Sequence, residues 1–307
     1  MRQLVIVFTA LTPIFLLILL GYLLRRRRFV DDAFWVPAEK LTYYVFFPLL
    51  LLDNLSRATL GDLMVVPMGL SLVLAVLTTA AILYASRRHL KLDGPAFTSV
   101  FQGSVRPNTF VGLAAAAALF GKPGVTLFAI GLATVVPLVN VLCVVVLSRH
   151  GTGNGTSFRA VALGILRNPI IIGVASGAAL NLTGIGRPPL IGPVFEILGD
   201  AALPMGLLAV GAGLDMAAAR ASGGAVLQSS VLKLLIVPGL TALYGAAFGV
   251  HGLTLTVAVL FNSLPVAASA YVLARQMGGD SRLMAGMITA QTVLALPSIP
   301  LALLLFG

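Results

Sequence analysis

Two short stretches inside otherwise apolar segments hold the residue types that could do chemistry. The first reads Gln102-Gly103-Ser104-Val105-Arg106-Pro107-Asn108-Thr109 and is the most polar run within any apolar segment. Proline lacks an N–H and clashes with the preceding turn, so a helix is interrupted at Pro107. Backbone groups freed in lipid need partners inside the protein or in a water-filled cavity. Asn108 and Thr109 can supply those partners, or they can bind a substrate. Arg106 narrows the chemistry. A guanidinium at mid-membrane depth costs from about 2.5 kcal/mol upward. It is always charged, and its planar fork of donors suits a carboxylate. The competing reading is a structural ion pair with a carboxylate on another helix. A half-helix starting after Pro107 would aim its positive end at the same point. The second stretch, Phe261-Asn262-Ser263-Leu264-Pro265-Val266-Ala267, has the same break without a charge. Its polar groups are Asn262 and Ser263. If the two breaks cross near the midplane, Arg106 lies on one side only, which suits one small anionic group.

Other ionisable residues fall inside apolar segments. Lys233 is about ten residues into its segment, or about 15 Å deep at 1.5 Å per residue. Asp200 is expected at similar depth from the opposite face. Glu196 precedes it by four residues, so the two carboxyls share a helical face. Adjacent antiparallel helices could pair Asp200 with Lys233, either as a neutralised structural pair or as a coupling site for a proton or cation. Gln291, Thr292, Asn140 and Asn54 could line a path, although such residues more often bridge helices.

Positioning these residues takes helices long enough to cross a bilayer, about 20 residues each. Ten windows qualify: 3–24, 36–55, 63–85, 97–119, 124–147, 160–181, 190–214, 223–250, 254–276 and 284–306. Little remains for a soluble domain. The longest connection, Ser148 to Phe158, is rich in Gly, Thr and Ser and reads as a cytoplasmic linker over 148–159. The first window is too long for a signal-peptide core, and Arg25–Arg28 follow it as an anchor. Gly173 with Gly177, and Gly245 with Gly249, suit close helix packing. Tyr22, Trp35, Tyr43 and Tyr44 are placed as interfacial aromatics.

Composition agrees. The chain has 307 residues, of which 59 % are apolar and 10 % charged, against roughly 25 % charged in soluble domains. Twenty Lys and Arg against ten Asp and Glu give a net charge of +10. A basic excess can signal nucleic-acid binding. Here the charges cluster between apolar runs, as the bias of basic residues toward cytoplasmic loops requires. One side collects 14 of them (Arg25–Arg28, Lys40, Arg87, Arg88, Lys91, Arg149, Arg159, Arg167, Arg220, Arg275, Arg282) and the other 4 (Arg2, Arg57, Lys122, Arg187). The first side is therefore cytoplasmic, and both termini are expected outside. One cysteine, Cys143, and three scattered histidines exclude a disulfide framework and speak against a metal site or cofactor.

The windows divide at the linker into five and five, 1–147 and 160–307, with opposite starting sides. Prolines recur at matching places: Pro48 and Pro204, Pro67 and Pro238, Pro107 and Pro265, Pro137 and Pro297. Inverted repeats with broken helices are a signature of secondary transporters, and the breaks mark the midplane site.

At this point the residues resemble the auxin efflux carrier family of bacterial and plant permeases, nearly end to end. The most specific stretches are Leu198-Gly199-Asp200-Ala201-Ala202-Leu203-Pro204-Met205-Gly206, continuing to Leu214; Lys233 five residues before Pro238; and Pro265 through Ala274 and Gly278 to Asp280. Arg106 to Thr109 resembles the family's fourth-span motif. Pro107 stands where bacterial members more often carry Gly, as in plant members. The resemblance implies ten helices in two inverted five-helix repeats, with crossing broken helices 4 and 9, as in bile-acid sodium symporters. It implies a moving transport domain, a homodimer, and a small organic acid such as malonate or malate, or an auxin-like acid, as cargo.

The expectation is an inner-membrane secondary carrier of a small organic anion. Arg106, Pro107, Asn108, Thr109, Asn262, Ser263 and Pro265 form its site, and Asp200, Lys233, Glu196 and Gln291 are coupling or structural residues. The alternative is a sodium- or proton-coupled carrier with its cation near Asp200. An embedded enzyme is disfavoured, because no Ser/His pair shares a depth and the sole acidic dyad is Glu196 with Asp200.

Overall fold

The computed structural model describes residues 2–59, 64–153, 158–221 and 223–307. In chain order the helices are α1 (Arg2–Arg26), α2 (Asp32–Leu41) and α3 (Phe47–Ser56), the latter two joined by a π-turn. Then follow α4 (Val65–Ser86), α5 (Gly94–Val105), α6 (Thr109–His150), α7 (Phe158–Leu166) and α8 (Pro169–Leu182). Next come α9 (Gly192–Asp200), α10 (Ala202–Ala212), α11 (Met216–Ala221) and α12 (Gly223–Val231). A second π-turn, Leu232–Ile236, leads into α13 (Val237–Ala247), and α14 (Gly252–Asn262), α15 (Ser269–Met277) and α16 (Ser281–Phe306) complete the chain. No strand occurs among the described residues, only one isolated bridge, Pro107 to Val266.

The burial pattern inverts that of a soluble protein. Val66 is 71 % exposed and Leu243 63 %, both on long apolar helices, whereas Gln102, Lys233, Asn262 and Gln291 are 0 % exposed. Water would oppose that arrangement, and hydrocarbon favours it. Six helical stretches are long and apolar enough to cross a bilayer unbroken: Val5–Arg26, Val65–Ser86, Thr109–His150, Gly192–Ala212, Gly223–Ala247 and Ser281–Phe306. That is fewer than ten, because local breaks shorten the other windows. Asn168 caps α8 by accepting from the Ile170 N–H at 3.0 Å, and Pro169 starts it, which splits window 160–181. Both π-turns run directly into a Pro-bearing helix start, at Pro48 and Pro238. The extra residue relieves the clash of the ring with the preceding turn.

Long α6 is a hairpin of two helices. Gly121, at φ 59° and ψ −148°, joins them in a conformation open only to glycine. Beyond it the chain returns far enough for Phe128 to lie against Gly112. Helix α6 ends at His150 and α7 begins at Phe158, so the proposed linker is shorter than 148–159; its residues 154–157 lie outside the described residues.

The broadest helix contacts are α3 on α8 and α1 on α10. Both are backbone-close. A Cβ on Gly173 would fall 2.6 Å from the Pro48 carbonyl oxygen, and one on Gly177 2.8 Å from that of Leu52. Gly21 and Gly211 lie as tightly against the Leu208 and Ile18 carbonyls. Gly249 plays no such part: it has φ +70° and ends α13, where the Val250 N–H reaches the Gly245 carbonyl at 2.8 Å. The core lies among α5, α6, α14 and α16, with Phe97, Phe101, Phe128 and Phe261 nearly sealed. The Phe128 and Phe261 rings sit 5.0 Å apart between centroids.

Candidate functional site

The two breaks meet. Helix α5 ends at Val105, Arg106 turns extended, and Asn108 restarts the chain as α6. Helix α14 ends at Asn262, and α15 restarts at Ser269. Between them Pro107 and Val266 form the antiparallel bridge, and the Asn108 N–H donates to the Pro265 carbonyl at 2.8 Å.

Gln291 of α16 closes the remaining valences. In an unbroken helix the Gly103 carbonyl would accept from residue 107, but proline has no N–H to give. The Gln291 Nε2 takes that place, donating to the Gly103 oxygen at 3.0 Å and to Ser229 Oγ at 3.0 Å. Its Oε1 accepts from the Val266 N–H at 2.9 Å. One side chain on a continuous helix thus ties both breaks.

Around this joint the predicted residues divide by role. Arg106 is half-buried and donates from Nη2 to Ser269 Oγ at 3.2 Å. Its Nε and Nη1 are buried without a partner. Among the described residues no carboxylate lies within ion-pairing distance of it, so the structural ion pair weighed from sequence is absent there. The Cys143 thiol lies close enough to hydrogen-bond with Arg106, and Tyr43 is within its electrostatic reach. Tyr43 also hydrogen-bonds with the Asn168 side chain. Asn108 is buried; its Oδ1 accepts from the Val111 N–H at 3.3 Å, and its Nδ2 is unpartnered. Thr109 is half-buried at the first turn of α6. Asn262 donates from Nδ2 to Thr241 Oγ1 at 2.7 Å and keeps Oδ1 free. Ser263 spends its hydroxyl on the Leu260 carbonyl at 2.9 Å.

The arrangement can hold a carboxylate. Two helix starts, α6 and α15, converge beside an unpaired guanidinium, and each contributes a partial positive charge. Ser269 was not singled out from sequence. The break runs from Ser263 to Ala268, longer than the proline alone suggests, and the restart after it was the available signal.

The expected partnership of Asp200 with Lys233 does not form. No ion pair joins them. Lys233 is sealed in the second π-turn, whereas Asp200 is exposed and lines a cavity of about 270 Å³. Distance along a segment does not say which face of its helix a residue takes, and here the faces differ. Glu196 lines the same cavity and is paired, with Arg187 at 2.7 Å and Arg57 at 3.9 Å. Buried Asp53 completes the network, held by Arg57 and by Arg187 at 3.2 Å. Lys122, next to the Gly121 turn, borders the cavity. Three of the four basic residues assigned to the outer side are thereby gathered at one end. At the other end, the Thr152 N–H donates to the Gly278 carbonyl, joining the ends of α6 and α15, and that of Asp280 donates to the Pro95 carbonyl, joining the starts of α16 and α5.

Comparison with known proteins identifies the family of the chain. The profile of the family described as "Membrane transport protein", that of the auxin efflux carriers, matches residues 6–154 and 154–303. A protein of Methanothermobacter thermautotrophicus named "Uncharacterized transporter" is 28 % identical over 291 residues, covering 94 % of each chain. A protein of Rhizobium meliloti named "Putative malonate transporter" is 25 % identical over 309 residues, covering 94 % of this chain and 92 % of its own. The chain belongs to this family of membrane transporters and is a multi-pass membrane protein.

Proposed function

We propose that this member of the auxin efflux carrier family is a secondary carrier of small organic anions, with the substrate carboxylate bound to Arg106 at the meeting of the two helix breaks. The observation that carries the reading is the Arg106 guanidinium, which has no carboxylate partner among the described residues and stands beside two helix starts. A buried charge without a partner is costly, and a substrate carboxylate supplies the missing one. Asn108 Nδ2, Thr109, Ser269 and the start of α15 complete the cradle. Pro107 and Pro265 act through the backbone they free. Asn262 and Ser263 are engaged with Thr241 and the Leu260 carbonyl and are left out of the cradle. The name of the Rhizobium relative makes malonate the first cargo to try.

The architecture proposed is ten spans in two inverted repeats of five, in the inner membrane, with both termini outside. The contacts support it: exchanging the first five segments for the last five turns α1 on α10 into α8 on α3, the other broad contact. The charged ends support the orientation. Alternating access would then come from the part holding the breaks moving against the α1, α3, α8 and α10 group, largely as a rigid body. Assembly as a homodimer belongs to the same reading.

The test is a thermal-stability screen of the purified protein with malonate, malate, acetate and indole-acetate, each as sodium and potassium salt. A ligand of the folded state stabilises it by mass action, about 2.7 kcal/mol at a hundredfold excess over Kd. One carboxylate class should shift the transition, and Arg106→Ala should abolish that shift while keeping a cooperative transition. Unchanged shifts in the variant would remove Arg106 from the site. A response to sodium alone would favour the cation-carrier alternative.

A further inference from the structure

Lys233 is 0 % exposed, its Nζ has no hydrogen-bond partner, and no described carboxylate pairs with it. It sits in the π-turn Leu232–Ile236, which packs against α5 and α16. Helix α5 brings Gln102, also 0 % exposed, whose amide nitrogen and oxygen both lack partners. One turn before Lys233, Ser229 Oγ accepts from Gln291 at 3.0 Å and lies 3.3 Å from Ser104 Oγ. A polar seam therefore runs from Ser229 through Gln291 to both breaks, and Lys233 lies one turn along the chain from its Ser229 end.

Other charges are scarce around it. Helices α5 and α12 contain no titratable residue. Helix α13 has Tyr244, whose hydroxyl is 2.7 Å from that of Thr78. Helix α16 has Arg282, in its first turn and far from Gln291. An ammonium in a dry interior needs acceptors or an anion, and among the described residues Nζ has no hydrogen-bond partner. Water entering the seam would supply acceptors, so the charge on this amine depends on whether the seam is open.

We propose that Lys233 carries the proton of a proton-coupled transport cycle, binding it when the seam opens to water on one side and releasing it on the other. An N–H bond forms at Nζ with a proton delivered by water, and the same bond breaks to water after the movement. No electrons are exchanged. The proposal rests on the carrier reading above and moves the coupling role from Asp200, which lies open at the outer cavity, to Lys233.

The protein is reconstituted in vesicles containing a pH-sensitive dye, at a pH where the probe, malonate, is fully ionised. Two quantities are read: exchange of labelled malonate at equal concentrations, and accumulation driven by an imposed pH gradient. Wild type should do both, with proton entry accompanying malonate. Lys233→Met, close in length and unbranched, should keep exchange within about threefold and lose gradient-driven accumulation. Lys233→Arg, which cannot release its proton, should lose accumulation too and serves where the Met variant does not fold. Wild-type accumulation without proton movement, or proton-driven accumulation retained in either variant, would overturn the proposal. Absence of exchange of every carboxylate by wild type would instead sink the carrier reading itself.

Discussion

Replacing Gln291 by Leu would strip the Val266 N–H, the Gly103 carbonyl and the Ser229 hydroxyl of a partner at once. Each buried group left unsatisfied costs about 1–3 kcal/mol. The variant should lose several degrees of thermal stability in detergent, and carboxylate-induced stabilisation with it. Gln291→Glu keeps the acceptor for Val266 but sets an oxygen against the Gly103 carbonyl, so it should be no better. A Gln291→Leu protein with wild-type stability would show that the joint closes without the clamp. Arg106→Lys retains charge and loses the planar fork. Carboxylate affinity should fall by about tenfold, or 1.4 kcal/mol, measured by titration calorimetry. At this scale the sequence was informative where a residue contradicts its surroundings. Arg106, Pro107 and Pro265 stand out in apolar runs, and they do meet. Ser269, 163 residues from Arg106, and Asp53, which resembles any helical acid beside an arginine, gave no such signal. Lys233 and Asp200 were placed by their distance along apolar segments, yet nothing in one sequence says which way each helix is rotated.

Helices are shaped here by what interrupts them. The Gly121 turn sets the two halves of α6 side by side, and its φ of 59° is costly for a residue with a Cβ. Open space surrounds the position, so Gly121→Ala should destabilise through backbone strain alone, by about 1–3 kcal/mol. A cooperative unfolding transition in detergent measures it. Gly211→Leu is different in kind. Its Cβ would collide with the Ile18 carbonyl, which is backbone and cannot swing away. That variant should fail to yield monodisperse protein, whereas a Leu at Gly224, where nothing is within 4 Å, should be tolerated. Hydropathy reported the apolar stretches well because it counts side chains. It missed the break at Asn168 and the two π-turns because these are decided by single backbone groups.

For the molecule as a whole, the charged ends make the orientation testable. In a Cys143→Ser background, Lys122→Cys should react with an impermeant maleimide added to intact cells, and Arg88→Cys only after permeabilisation. Both positions are exposed. The reverse pattern would invert the proposed topology and place the cavity of Asp53, Glu196 and Asp200 on the cytoplasmic side.

The guanidinium without a counter-charge also has an electrical consequence. With no proton on Lys233, an empty site carries the Arg106 charge through the membrane field, and a site loaded with a monocarboxylate carries none. Voltage would then act on the empty return, at about 2.3 kcal/mol per 100 mV for a full crossing. A potential negative inside would hold the vacant carrier facing the cytoplasm, ready to collect anions there. At equal concentrations on both sides, a polarised cell would run a monocarboxylate carried alone outward, and a proton carried with it on Lys233 would cancel that drive.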